Sequence, residues 1–187
     1  MRQSLLAFLA MAIFSLLALS QQRVMMRHHS IVYGRDTELA AMNMVSDRLA
    51  HLQTLAYDEV DELVGGINQR TSPDGLTSLA AFGLDDDEKE IGIGAASDID
   101  DYHGYSAVET YTYNRTVYRF KWAVDVKYID PDDLQLRESS APTLAKLVTL
   151  TLEEDLPEGY EDEVELGRLP IFVEFSKIFS PGGMTLH

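Results

Sequence analysis

The residues best suited to chemistry are the carboxylates of Asp98, Asp100 and Asp101. Three carboxylates within four positions suit a hard cation such as calcium. Their spacing does not match the helix-loop-helix calcium pattern, which needs acids at alternate positions, a glycine sixth and a glutamate twelfth. We therefore predict a solvated turn at 98–104, with weak calcium binding as the open alternative, and a second solvated turn at the acidic run 85–88.

Other signs of a catalytic or cofactor site are weak. The histidines at positions 28, 29, 51, 103 and 187 lack zinc-binding spacing. Gly92 and Gly94 lack the third glycine of a phosphate loop and predict a turn, and the chain has no cysteine and no serine elbow. The sequence thus predicts no catalytic residue, no cofactor and no metal, and a protein that is not an enzyme.

Charge divides the chain into two unlike parts. Among 187 residues, 31 acids face 15 bases, a formal net charge of −16. Residues 1–56 carry +2 and residues 57–187 carry −18. Nucleic-acid binding is excluded as a general function, because contacts with phosphate need clustered lysine and arginine. The sequence predicts a mildly basic stalk joined to a strongly acidic head.

An apolar segment begins the chain. Leu5 to Leu19 is fifteen residues without a charge, preceded by Arg2. A helix of this length spans about 22 Å, which is shorter than the ~30 Å hydrocarbon core of a bilayer. Two interpretations stay open: a signal peptide that is cleaved after Ser20, or a helix that remains as a membrane anchor over residues 1–35.

An amphipathic helical stretch is predicted at 36–64, within a head that spans 36–187, and on the membrane-anchor interpretation it joins the segment from Leu5 in one long helix of roughly sixty residues. Asp36 is a suitable N-cap, Gly65-Gly66 a suitable stop, and Gly34 a possible kink between the two helical segments. Apolar residues recur at steps of three or four, which indicates an amphipathic helix. The predicted buried stripe consists of Leu39, Met42, Val45, Leu49, Leu52, Ala56, Val60 and Leu63.

Alternation predicts strands over about 108–179. In 117–129 the residues Phe120, Trp122, Val124, Val126 and Tyr128 share one face, and Arg119, Lys121, Asp125 and Lys127 share the other. Further strands are predicted at 108–113, 146–153 and 170–178. Since no helical pattern separates them, the sheet should be antiparallel and covered by the long helix, which gives an α+β fold.

Four stretches of the chain resemble type IV pilin-like proteins, specifically minor pilins and type II secretion pseudopilins. They are the N-terminal apolar helix with its continuation through 40–60, the Asp98-Ile99-Asp100-Asp101-Tyr102-His103-Gly104 turn, the strand 118–131 and the strand 144–152. The chain departs from the family at its start. The family has a basic leader ending in glycine and a glutamate soon after it, whereas Leu5 stands at the glutamate's place if Met1 is near the mature start.

This resemblance implies a structural subunit of a type IV pilus or type II secretion-like filament. The implied partners are other pilin or pseudopilin subunits through the N-terminal helix, inner-membrane lipid and the assembly machinery. The implied location is the bacterial inner membrane with a periplasmic head, or an extracellular filament. The alternative from the residues is an exported soluble acidic binding protein, released after Ser20, with a weak calcium site.

Overall fold

The computed structural model describes residues 2–58, 72–84, 92–131, 133, 135–156 and 170–181, without the side chains of residues 2–8. The secondary structure consists of helix α1 (Arg2–Leu52) and strands β1 (Ser106–Tyr113), β2 (Thr116–Tyr128), β3 (Lys146–Glu154) and β4 (Phe172–Phe179). The strands form one sheet in the order β1-β2-β3-β4, and each neighbouring pair is antiparallel. One long helix packed on an antiparallel sheet confirms the predicted α+β fold.

The sheet buries the face that alternation predicts. Tyr118, Phe120, Trp122, Val124, Val126 and Tyr128 of β2 are buried, while Arg119 and Lys121 on the other face are exposed. On β3 the buried residues include Val148, Leu150 and Leu152. The β1–β2 hairpin turns at Asn114 and Arg115, with φ of 49° and 66°, which is the left-handed conformation of a tight two-residue hairpin loop.

Helix α1 is continuous through Gly34 and Asp36, which confirms the single long helix and shows that the predicted N-cap at Asp36 is wrong. A single glycine costs a helix about 1 kcal/mol, which is too little to end it when helical residues flank both sides. The 51 residues of α1 give a rod of about 76 Å.

The face of α1 that packs on the sheet differs from the predicted one. Leu39 and Met42 are 47% and 51% exposed, whereas Ala40, Ala41 and Met44 are buried. Both sets satisfy the helical spacing, so periodicity alone did not separate them. Ala40 and Ala41 lie in the same hydrophobic core as the aromatic side chains of β2, and side chains this small let a helix backbone come close to its neighbours. The predicted stripe is therefore wrong at its first two positions and right from Val45 to Leu52.

Helix α1 ends at Leu52, twelve residues before the predicted end at Val64. Residues 53–58 form turns, and Ala56 makes an isolated parallel bridge with Asp98. The Thr54 hydroxyl donates to the carbonyl of His51 at 2.7 Å, which satisfies a carbonyl group in the last turn. The remaining predicted positions, Val60 and Leu63, lie outside the described residues, as do the acidic run 85–88 and His187.

Candidate functional site

The N-terminal half of α1 is an apolar surface that no described part of the chain covers. Over residues 9–32 every side chain is exposed. Large apolar members are Leu9, Met11, Ile13, Phe14, Leu16, Leu17, Leu19, Val24, Met25, Met26, Ile31 and Val32. Among the described residues, this is the one helix long and apolar enough to cross a membrane. We call residues 9–32 the exposed half of α1.

The C-terminal half of α1 is fixed to the sheet. The Tyr33 ring lies 5.8 Å from the ring of Tyr118, and Thr37 is fully buried four residues later. The Thr37 hydroxyl donates to the carbonyl of Tyr33 at 2.8 Å, so it has no free polar group in the core. We call residues 33–52 the docked half of α1, since its buried face lies within the hydrophobic core.

A row of polar contacts orients the docked half along β1. Arg48 forms an ion pair with Glu109 and lies over the ring of Trp122, 4.9 Å from its centre. At the preceding residue, Asp47, the carboxylate accepts the hydroxyl of Tyr111 at 3.0 Å. These groups are partly exposed, so each contact contributes little free energy, and their main effect is to set the rotation of the helix.

The strongest electrostatic feature of the head is a fully buried lysine. The Nζ of Lys146 donates to the Asp100 carboxylate at 2.6 Å and to the carbonyl of Tyr57 at 2.5 Å. It lies 3.6 Å from Asp58, whose carboxylate accepts the backbone N–H of Thr77 at 2.9 Å. The ammonium also lies over the Tyr57 ring, 4.4 Å from its centre. One cation thus joins the segment after α1, the turn at 98–104 and the start of β3.

The aspartates of the turn at 98–104 are buried, so the prediction that they lie in a solvated turn is wrong. Asp98, Asp100 and Asp101 are only 2%, 3% and 9% exposed. Asp98 accepts the backbone N–H groups of Asp100 and Asp101 at 2.9 and 3.2 Å. Asp101 in return accepts those of Ser97 and Asp98 at 2.8 and 3.1 Å. The carboxylates hold the turn in shape through these reciprocal bonds.

Burial raises the pKa of Asp98 to about 9, and the adjacent Asp100 carboxylate adds to the rise through its charge and a hydrogen bond. Asp101 raises the pKa further, while Lys146 lowers it. The carboxyl group of Asp98 is therefore neutral at neutral pH. This protonation removes one negative charge from a cluster in which a single lysine faces several carboxylates.

The calcium alternative gains no support from this geometry. Side-chain oxygens of Asp98 and Asp101 accept backbone N–H groups, and an oxygen of Asp100 faces the Lys146 ammonium. Within the described residues no group of three or more acids and histidines is placed to hold a metal ion. The cluster instead stabilises the head by joining the segment after α1, the turn at 98–104 and β3.

Of the five histidines, His51 and His103 form hydrogen bonds within the head. The Nε2 of His51 lies 3.0 Å from the Tyr102 hydroxyl, and His103 Nδ1 accepts the N–H of Val126 at 3.3 Å. His28 and His29 are exposed on α1. A short 3₁₀ turn follows Gly92, which has a φ of 85°, in agreement with the predicted turn.

Sequence reasoning missed Lys146, although a signal was present. Alternation along β3 places position 146 on the same face as Val148 and Leu150, and a lysine on that face must be buried or at the sheet margin. No comparable pattern marked Tyr57 or Asp58, because they follow the helix in a segment without regular structure. Comparisons of this chain with protein-family models, with curated proteins and with solved structures gave no match.

Proposed function

We propose that the protein is a structural subunit, a minor pilin or pseudopilin, of a type IV pilus or type II secretion-like filament. The observation that carries the proposal is one continuous helix with two surroundings: its exposed half is apolar and uncovered, and its docked half lies in the core of a globular head. In lipid, a helix satisfies its own backbone hydrogen bonds, so the exposed half suits a membrane.

The same helix suits lateral assembly. Moving an apolar helix from lipid into a bundle of like helices changes its surroundings little, and small residues such as Ala10, Ala12 and Ser15 permit close approach. The head contacts of α1 in the described residues start at Tyr33, so they remain intact whether the exposed half lies in lipid or in a bundle of helices. The head would then project from the membrane or from the filament surface, with no catalytic role.

The first test is the mass of the native polypeptide combined with cell fractionation. We expect the apolar segment to be present and the chain to appear in membranes or in sheared filaments. A soluble chain that begins at Gln21 would overturn the proposal. That result would favour an exported acidic binding protein, because the contacts between α1 and the described part of the head all lie after Ser20.

A second test addresses assembly directly. Since the chain contains no cysteine, one cysteine can be introduced at a chosen position. We expect Phe14→Cys, on the exposed half, to form disulfide-linked dimers in native membranes. The matched control is Val117→Cys, which is 63% exposed against 76% for Phe14 but lies on the outer face of the sheet. Equal cross-linking at both positions would count against packing through α1.

A further inference from the structure

The exposed half of α1 ends in a pair of arginines that we call the basic collar, Arg23 and Arg27. Both side chains are exposed, and neither forms an ion pair with another described residue. They are four positions apart, which places them on one side of the helix. No acid occurs before Asp36, so residues 1–35 contain four arginines and no opposing charge. The collar is thus a set of cations without a partner within the part of the chain described.

The position of the collar along α1 matches the surface of a bilayer. A ~30 Å core takes about 20 residues of helix, which places its boundary near Val24 if it begins at Leu5. Arg23 then lies at the boundary and Arg27 about 4.5 Å beyond Val24. The headgroup layer is ~5–7 Å deep on each side, so both guanidinium groups can reach it. Arg35 lies about 16 Å beyond Val24, outside that layer.

Charge complementarity determines which headgroups fit. The guanidinium group is planar and binds phosphate through two parallel hydrogen bonds. The remainder of the chain after residue 56 carries −18, so the head itself is repelled by an anionic membrane. An anionic surface can therefore attract this molecule only through residues such as those of the collar.

We propose that Arg23 and Arg27 bind the phosphate groups of anionic phospholipids and so fix how far the head stands from the bilayer. This inference rests on the proposed function, because it requires α1 to stand in a membrane. It goes further by assigning a lipid class and two residues to that contact. The two arginines reach the headgroup layer from one side of the helix. They therefore fix how deeply α1 is inserted in the bilayer and which lipids lie beside it.

The test is a competition between two vesicle populations in one tube. The full chain is offered equal amounts of phosphatidylcholine vesicles and of phosphatidylcholine vesicles that contain phosphatidylglycerol, and the two populations are then separated by label. We expect the wild type to favour the anionic vesicles by about fivefold for each collar arginine. Arg23→Gln combined with Arg27→Gln should abolish that preference. Circular dichroism checks that the variant remains helical.

Arg35→Gln is the matched control, because it removes the same charge from the same helix beyond the headgroup layer. We expect it to keep the preference. A wild-type chain shared equally between the two vesicle populations would overturn the collar while leaving the anchor intact. Arg27→Gln alone should lower the preference about fivefold, and an equal loss with Arg35→Gln would also overturn the collar, since the attraction would then be diffuse. A chain that binds neither population would instead overturn the proposed function.

Discussion

The two halves of α1 belong to one helix but differ in what covers their side chains. In the exposed half, apolar residues occur all around the helix, and no described residue packs on them. In the docked half, the buried face contains small residues, and polar anchors such as Arg48 lie beside it. The difference teaches that a helix apolar on every side needs an external apolar medium, whereas one apolar face is enough to bind a sheet.

The largest effect should come from Lys146→Met, which tests whether the head can unfold while the exposed half of α1 stays in the membrane. Removing the ammonium leaves Asp58 and Asp100 buried without their cation, at a cost of about 3–5 kcal/mol. Pulse proteolysis of the vesicle-bound chain should show an unfolded head, while flotation should show undiminished membrane association. The control is Lys121→Met, at an exposed position on the other face of the sheet. A head as stable as the wild type would contradict a stabilising role for Lys146.

The reverse case is Ile13→Asp, which should damage the anchor and spare the head. A carboxylate near the middle of a membrane helix costs about 2.5–3.5 kcal/mol. Flotation should show loss of the chain from vesicles, and the denaturation midpoint of the head should be unchanged, because Ile13 is exposed and contacts no described residue of the head. Undiminished flotation of this variant would contradict membrane insertion of the exposed half.

The pH dependence of the head tests the buried carboxyl of Asp98. Its folded pKa of about 9 exceeds the ordinary value of 3.8, so the folded head keeps a proton that the unfolded chain releases. The stabilisation is complete below the ordinary value and is lost as pH rises toward 9. We expect stability to fall between pH 6 and pH 8 by up to about 1.4 kcal/mol per pH unit. Denaturant titrations at each pH measure this slope.

The matched variant for that experiment is Asp98→Asn, which stays neutral at every pH. Its amide oxygen retains the ability to accept the N–H groups of Asp100 and Asp101. The slope between pH 6 and pH 8 should therefore be flatter than in the wild type. An unchanged slope in the asparagine variant would assign the pH dependence to another group.

The smallest effect distinguishes the two faces of the docked half. Ala41→Leu places a large side chain in the hydrophobic core and should destabilise the head by about 1–3 kcal/mol. Ala50→Leu makes the same change at an exposed position of α1 and should alter stability by less than about 0.5 kcal/mol. Thermal denaturation of both variants compares them. Equal effects would contradict the assignment of Ala41 to the buried face.

Much of the fold was predictable because its signals are local. The alternation of β2 needs only the chemistry of consecutive side chains, and the run Leu5–Leu19 needs only its length and lack of charge. The end of α1 was not predictable in the same way. Positions after Leu52 continue the apolar spacing, but the chain there is bonded to three remote segments. Ala56 forms a bridge with Asp98, the carbonyl of Tyr57 accepts a hydrogen bond from Lys146, and Asp58 accepts one from Thr77.

The buried cluster was the least accessible to sequence reasoning. A run such as Asp98–Asp101 is usually solvated, since burying a carboxylate is costly unless a cation or hydrogen bonds compensate it. Here backbone N–H groups within the turn bond Asp98 and Asp101, and Lys146 from β3 pairs with Asp100. The alternation of β3 marked Lys146 as an inward-facing residue, but only the fold shows which carboxylate it meets.

The sequence by itself determined the α+β class, the buried face of the sheet and the presence of an apolar N-terminal helix, because each depends on spacing along one segment. The tertiary structure decided which face of α1 meets the sheet, where that helix ends and whether the aspartates meet water. These three features depend on packing and ion pairing between segments that are remote in the chain, and the residue pattern of one segment does not specify which distant residues will contact it.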